Sequence, residues 1–213
     1  MGRIVCVANQ KGGVGKTTTA SNVAAGLAKA GMQTLLVDLD PQCNATTGLG
    51  GIPAETHPLV SEAALGENVV STAVTNLSLL PGSRSVRDVE RIADQARAGS
   101  MVLSNHLSCG LNAWDYCLID CPPSLGELTR TALAGSTEVL MPIQCEYFAL
   151  EGLTQMIEVI RDVMADQPGR LSFSGIVLTM HDANLELTTE VEREVRDFFG
   201  EIVFDTVIPR DVT

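Results

Sequence analysis

Two lysines and three glycines crowd into eight residues near the start of the chain, Lys11-Gly12-Gly13-Val14-Gly15-Lys16-Thr17-Thr18. The apolar run Ile4-Val5-Cys6-Val7-Ala8 precedes them and a helical pattern follows. Between a strand and a helix, such a loop aims several backbone N–H groups at one point, and the helix N-terminus adds positive potential there. That is a cradle for phosphate. Lys16 is placed to reach the β- and γ-phosphates of a nucleoside triphosphate, and the Thr17 hydroxyl to ligate Mg²⁺. Gly12, Gly13 and Gly15 allow close backbone approach, with Val14 and Thr18 completing the loop. The chain has only three lysines, and two of them lie here. The bland alternatives are a ligand-free glycine-rich turn and, for Lys11 taken alone, a solvated loop lysine. The ordinary P-loop pattern requires a glycine five residues before Gly15; this chain has Gln10 there.

Two further segments carry carboxylates at strand exits. Val37-Asp38-Leu39-Asp40-Pro41-Gln42 ends one apolar run, and Asn44-Ala45-Thr46-Thr47-Gly48 after it reads as a mobile switch loop. Tyr116-Cys117-Leu118-Ile119-Asp120 ends another, followed by Pro122-Pro123. Carboxylates leaving strands beside a phosphate loop can hold Mg²⁺ through water or orient an attacking water. Asp40 and Asp120 are therefore metal candidates with Thr17, although either aspartate alone also reads as a turn or capping residue. An isolated carboxylate at the end of a buried strand is costly, which favours a partner for Asp120.

These groups need a scaffold that brings strand ends together. Strand-like runs at 3–8, 34–39, 77–81, 115–120, 137–142, 172–179 and 202–208 alternate with helical patterns at 17–30, 149–164 and 185–199. Continuous β-branched runs suit parallel strands buried on both faces. The alternation predicts an α/β fold: a doubly wound, mostly parallel sheet with helices on both faces. Gly31 is placed to end the first helix. Leu150, Leu153, Ile157, Ile160 and Met164 mark one helix face; Leu187, Val191, Val195 and Phe198 mark another. Residues 82–108 are polar and predict two short helical pieces.

At 213 residues the chain suits one domain, 1–213, with a sizeable core. Its net charge is −12 and its pI about 4.6, so bulk attraction to nucleic acid is excluded and any DNA contact needs a local arginine patch. Arg161, Arg170, Arg193, Arg196 and Arg210 are candidates, each also readable as a solvated charge. Membrane spans and secretory leaders have no matching segment, which predicts a cytoplasmic protein. The six cysteines, Cys6, Cys43, Cys109, Cys117, Cys121 and Cys145, form no C-x-x-C pair and read as buried reduced thiols. His181 reads as a surface or loop residue.

The form K-G-G-V-G-K-T-T resembles the deviant Walker A loop of the ParA/MinD superfamily, and the Soj/ParA partitioning proteins most nearly. Asp38 to Thr47 resembles that family's D-x-D-P-Q-G-N-A-T switch I, with Cys43 in place of glycine. Residues 116–129 and 142–153 are similar to its Walker B and dimer-face segments. The resemblance implies an ATPase with ATP and Mg²⁺ as cofactors, slow and stimulated by a partner. It makes Lys11, Lys16 and Asp40 catalytic: Lys11 reaches across a homodimer to the partner's nucleotide, and Asp40 lies nearest the hydrolytic water. It sets Met180, Pro209 and Asp211, at two strand exits, beside the adenine. It also implies an ATP-bound sandwich dimer, non-specific DNA binding, nucleoid association and release by a ParB-like protein. Family members usually continue into a C-terminal helical end, and by that resemblance this sequence is expected to stop short of it.

Two alternatives remain open at this point. A relative that positions a protein cargo, such as a chemosensory or division component, shares the ATPase. An iron–sulfur scaffold of related fold needs paired cysteines at a dimer axis, for which Cys109, Cys121 and Cys145 are the candidates. A membrane-bound version fits the D-x-D-P-Q segment poorly.

Overall fold

The computed structural model describes residues 2–61, 65–88, 113–146 and 149–211. An eight-stranded sheet runs through them. Its strands are β1 (Arg3–Val7), β2 (Thr34–Asp38), β3 (Val70–Ser71), β4 (Leu77–Leu80), β5 (Tyr116–Asp120), β6 (Glu138–Gln144), β7 (Ser172–His181) and β8 (Val203–Pro209). The order is β3-β4-β2-β5-β1-β6-β7-β8, and every pairing is parallel except β3 with β4. All seven expected strands are present. The two-residue antiparallel edge β3 was not anticipated, being too short to show a pattern.

Alternation along each strand divides the core. β1 sends Ile4 and Cys6 to one face and Val5 and Val7 to the other; β5 sends Cys117 and Ile119 one way and Leu118 the other. On the second face lies α1 (Lys16–Lys29), whose buried Ala20, Ala24 and Ala28 recur every four residues and let the helix backbone lie close to the strands. Gly31 follows it at φ 93°, as expected of a helix stop. Helices α5 (Glu127–Gly135), α6 (Ala149–Asp166) and α7 (Glu186–Phe199) cover the first face. Shorter helical turns are α2 (Asn44–Gly48), α3 (Pro58–Ser61) and α4 (Leu65–Asn68).

Three expectations shift. The segment read as a mobile loop after Asp40 is helix α2, fastened to β2 by the bonds described below. In α6 the buried set is Leu153, Met156, Val159, Ile160 and Val163, while Ile157 and Met164 face a groove toward α7. In α7 only Thr188, Val191 and Val195 are buried; Leu187 and Phe198 are exposed, Phe198 at 77%. Both helices lie where their period places them, but period alone does not say which apolar residues are covered. The expected helical pieces within 82–108 begin with a 3₁₀ turn, Arg84–Val86, and lie beyond residue 88 outside the described residues. No helix among the described residues is long and apolar enough to cross a membrane.

β5 and β6 lie on opposite sides of β1, so the chain changes direction around that strand. In open α/β sheets the crevice at such a point, beyond the carboxyl ends of the strands, is where ligands bind. The glycine-rich loop leaves β1 there. The close seat of α1 gives a direct test. Ala24→Leu overpacks a fully buried contact and is expected to cost about 1–3 kcal/mol. A urea midpoint equal to the parent's would show that α1 is not held against the sheet as described.

Candidate nucleotide site

Residues 9–15 link β1 to α1 and are held by groups distant in sequence. Asn9 is buried; its Nδ2 donates to Pro142 O at 2.8 Å and its Oδ1 accepts from the Lys11 N–H at 3.0 Å. Thr179 Oγ1 donates to Val14 O at 2.9 Å, tying the loop to β7. Gly13 and Gly15 adopt φ of 76° and 85°, conformations that a side chain would strain. Thr19 N–H bonds Gly15 O at 2.8 Å as α1 begins, and Gly12, Gly13 and Thr18 face solvent at the helix mouth. Lys16 is 6% exposed, and its Nζ donates to Lys11 O at 2.7 Å. Burial lowers its pKa, against the opposing charges of Asp120 and Asp40.

Three aspartates surround this loop. Asp38, Asp40 and Asp120 are 0%, 6% and 0% exposed. Asp38 is satisfied by neutral donors: Oδ2 accepts from Thr46 N–H at 2.8 Å and Thr46 Oγ1 at 2.7 Å, and Oδ1 accepts from Asp40 N–H at 3.2 Å. Thr46 Oγ1 in turn accepts from Gly82 N–H at 2.8 Å. A Cβ on Gly82 would stand 2.8 Å from the Asp38 carboxyl carbon, so only glycine fits. Burial raises the Asp38 pKa, and the Thr46 bonds lower it in part. Asp40 Oδ1 accepts from Gln42 N–H at 2.8 Å.

Asp120 is different. Neither of its oxygens has a well-formed hydrogen bond among the described residues. Burial pushes its carboxyl up to about 7; the Thr17 hydroxyl and the Lys16 charge pull down, while Asp38 and Asp40 push further up. An unsatisfied buried carboxylate facing a hydroxyl and a phosphate loop fits a divalent cation on a triphosphate. Thr17, Asp40 and Asp120 are the residues that could hold Mg²⁺, directly or through its water.

The remaining expected residues fall at the same edge. Met180 (φ 52°) is the penultimate residue of β7, Pro209 ends β8, and Asp211 follows exposed. His181 pairs with Pro209 across the strands, and Arg210 N–H bonds His181 O at 2.9 Å. His181 is not a surface residue: β7 extends to include it, and its Nε2 lies 2.7 Å from Glu192 Oε2 with a side chain 13% exposed. Cys43, where the family pattern has glycine, sits at φ 56°, the backbone conformation that glycine adopts freely. Cys121 and Cys145 are buried inside the fold, Cys121 with its sulfur 3.3 Å from that of Cys6, so neither faces outward toward a second copy. Cys109 lies outside the described residues. Of the arginines considered for DNA, Arg196 pairs with Glu192 and Arg210 with Glu146.

Asn9, Thr46, Gly82, Glu146 and Thr179 were not singled out from sequence as site residues. Thr46 and Glu146 stand inside segments that were quoted, but their partners Gly82 and Lys11 lie far along the chain.

Fold and site together define a P-loop nucleotide-binding protein with an additional lysine in the loop. A family described as an AAA domain matches residues 2–173. The chain is 44% identical over 216 residues to the chromosome-partitioning ATPase Soj of Treponema pallidum, spanning 100% of this chain and 85% of that protein. It is 42% identical over 217 residues to the chromosome partitioning protein ParA of Caulobacter vibrioides, spanning 99% and 81%. Among solved structures, cobyrinic acid a,c-diamide synthase from Mycobacterium smegmatis, with bound ATP analogue and magnesium, superposes with TM-score 0.92 at 33% identity, covering 100% and 89%. A plasmid partition protein of Borrelia burgdorferi bound to AMPPNP superposes with TM-score 0.82 at 23% identity, covering 100% and 86%, a likeness of fold alone. The chain belongs to the ParA/Soj family of deviant P-loop ATPases.

The Asp120 charge has a consequence for stability. Unfolded, an aspartate titrates near about 4; folded, Asp120 keeps its proton to about 7. The folded state binds that proton more tightly, so stability is lost as pH rises between these values. Asp120→Asn keeps the shape without the charge. In the nucleotide-free protein it is expected to raise the urea midpoint strongly at pH 8 and clearly less at pH 5.5, while abolishing the Mg²⁺-dependent gain in ATP affinity. Equal shifts at both pH values would show that the buried charge is not responsible.

Proposed function

We propose that this chain is an ATP-dependent switch of the ParA/Soj type, serving chromosome or plasmid partitioning. The observation that carries this reading is the pair Lys11 and Lys16 on one loop, set against an unsatisfied Asp120. Backbone N–H groups from Gly12 to Thr18 and the α1 N-terminus hold the phosphates, with Lys16 on the β- and γ-phosphates. Thr17, Asp40 and Asp120 hold Mg²⁺ and its water, and Asp40 orients the attacking water. Met180, Pro209 and Asp211 border the base. Bound ATP supplies the phosphoanhydride bond whose cleavage makes the assembled state transient.

Lys11 is the residue that makes this a switch rather than a simple hydrolase. Placed on the partner's nucleotide in a sandwich homodimer, its charge stabilises the phosphoryl oxygens as an arginine finger does. It also makes dimerisation depend on ATP. Turnover is then slow until a ParB-like protein stimulates it, and the dimer binds DNA without sequence preference. The ion-paired Arg196 and Arg210 and the net charge of −12 leave DNA contact to a limited arginine surface formed on dimerisation.

Sedimentation velocity separates these elements. With ATP, Asp40→Ala is expected to accumulate as a dimer, while Lys11→Ala stays monomeric; both lose hydrolysis by about 100-fold or more. Dimeric Lys11→Ala would remove the trans role. Duplex DNA is expected to co-sediment with ATP but not ADP, with affinity falling steeply between 50 and 200 mM salt, on the order of ten-fold or more. Absence of DNA binding at low salt would leave the ATPase reading in place and point to a protein cargo.

A further inference from the structure

We infer that Glu146 is the resting counter-ion of Lys11, a built-in restraint that must be exchanged for a partner's phosphate before the dimer closes. This rests on the proposed trans role of Lys11 and adds its regulation. Three donors from three strand exits converge on the Glu146 carboxylate. Lys11 Nζ lies 3.2 Å from Oε2, Arg210 Nη2 lies 3.6 Å from Oε1, and Gln144 Nε2 donates to Oε1. Lys11 is therefore turned toward a carboxylate of its own subunit, although Asp38, Asp40 and Asp120 lie around the same loop.

The loop is fixed at Lys11 in three ways. Its N–H donates to Asn9, its carbonyl accepts from Lys16 Nζ, and its ammonium group rests on Glu146. Lys16 carries three N–H donors, so it can reach a phosphate while still holding Lys11 O, and the Lys11 backbone stays fixed. The restraint that must give way is the ion pair with Glu146. A carboxylate offers fewer acceptor oxygens and less charge than a triphosphate, so Lys11 transfers to a partner's triphosphate once one is presented.

Arg210 completes the arrangement. When Lys11 leaves, Glu146 keeps one cation and is not left uncompensated. Arg210 therefore lowers the cost of the exchange, whereas Glu146 raises it. Lys11 and Glu146 side chains are 35% and 44% exposed, so the restraint is modest and sensitive to salt.

The test is dimerisation of the full chain as a function of ATPγS, followed by sedimentation velocity at 50 mM and 500 mM NaCl. Glu146→Gln is expected to lower the ATPγS midpoint about five-fold at low salt, with the difference shrinking at high salt. Arg210→Ala is expected to raise the midpoint in the parent and to have no effect in the Glu146→Gln background. A Glu146→Gln midpoint equal to or above the parent's, with Lys11→Ala monomeric, would overturn the restraint alone. Lys11→Ala dimerising like the parent would overturn the trans role on which it rests.

Discussion

One buried ammonium group faces three buried carboxylates at the ends of adjacent strands, and the rest of the structure is arranged around that imbalance. Asp38, Asp40, Asp120 and Lys16 have almost no access to water. Asp38 has its lone pairs filled by the backbone and hydroxyl of Thr46 and by the Asp40 amide. Asp120 does not, and burial pushes its carboxyl up to about 7. Burying such charge is tolerable only where a cation later arrives. The nucleotide-free protein therefore holds its site in a state that bound metal and phosphate relieve.

This constraint explains why the neighbourhood is rigid where a loop was expected. The Asp38 carboxylate fixes α2 through Thr46, and Thr46 is fixed in turn by Gly82 beyond β4. The segment after Asp40 is consequently ordered against the sheet. Asn9 and Thr179 do the same for the phosphate loop, anchoring it to β6 and β7. Changes at the nucleotide can thus be felt at the exits of β2, β4, β6 and β7, the edge that a second copy faces in the proposed sandwich.

Much of this was legible in the chain because its signals are local. The loop's glycines and lysines lie within eight residues, and each buried parallel strand is a continuous apolar run. Helices α1, α6 and α7 follow from spacing alone. What was not legible depends on pairing across long separations: Thr46 with Gly82, Asn9 with Pro142, Val14 with Thr179 and Lys11 with Glu146. Helix α5 went unnoticed because its Thr- and Ala-rich sequence, Glu127–Gly135, has little helical signature of its own; packing of Leu128, Ala132 and Leu133 holds it. The exposure of Met164, Leu187 and Phe198 was missed because an apolar face was assumed to be a covered one.

The central claim is that Lys11 serves a neighbouring subunit's nucleotide rather than its own. A crystal structure of the Asp40→Ala variant with ATP and Mg²⁺ tests it most directly. The account predicts two protomers face to face, with each Lys11 Nζ within about 3 Å of a phosphate oxygen bound to the other chain. Lys11 still resting on Glu146 of its own subunit, with ATP bound and the protomers apart, would contradict it.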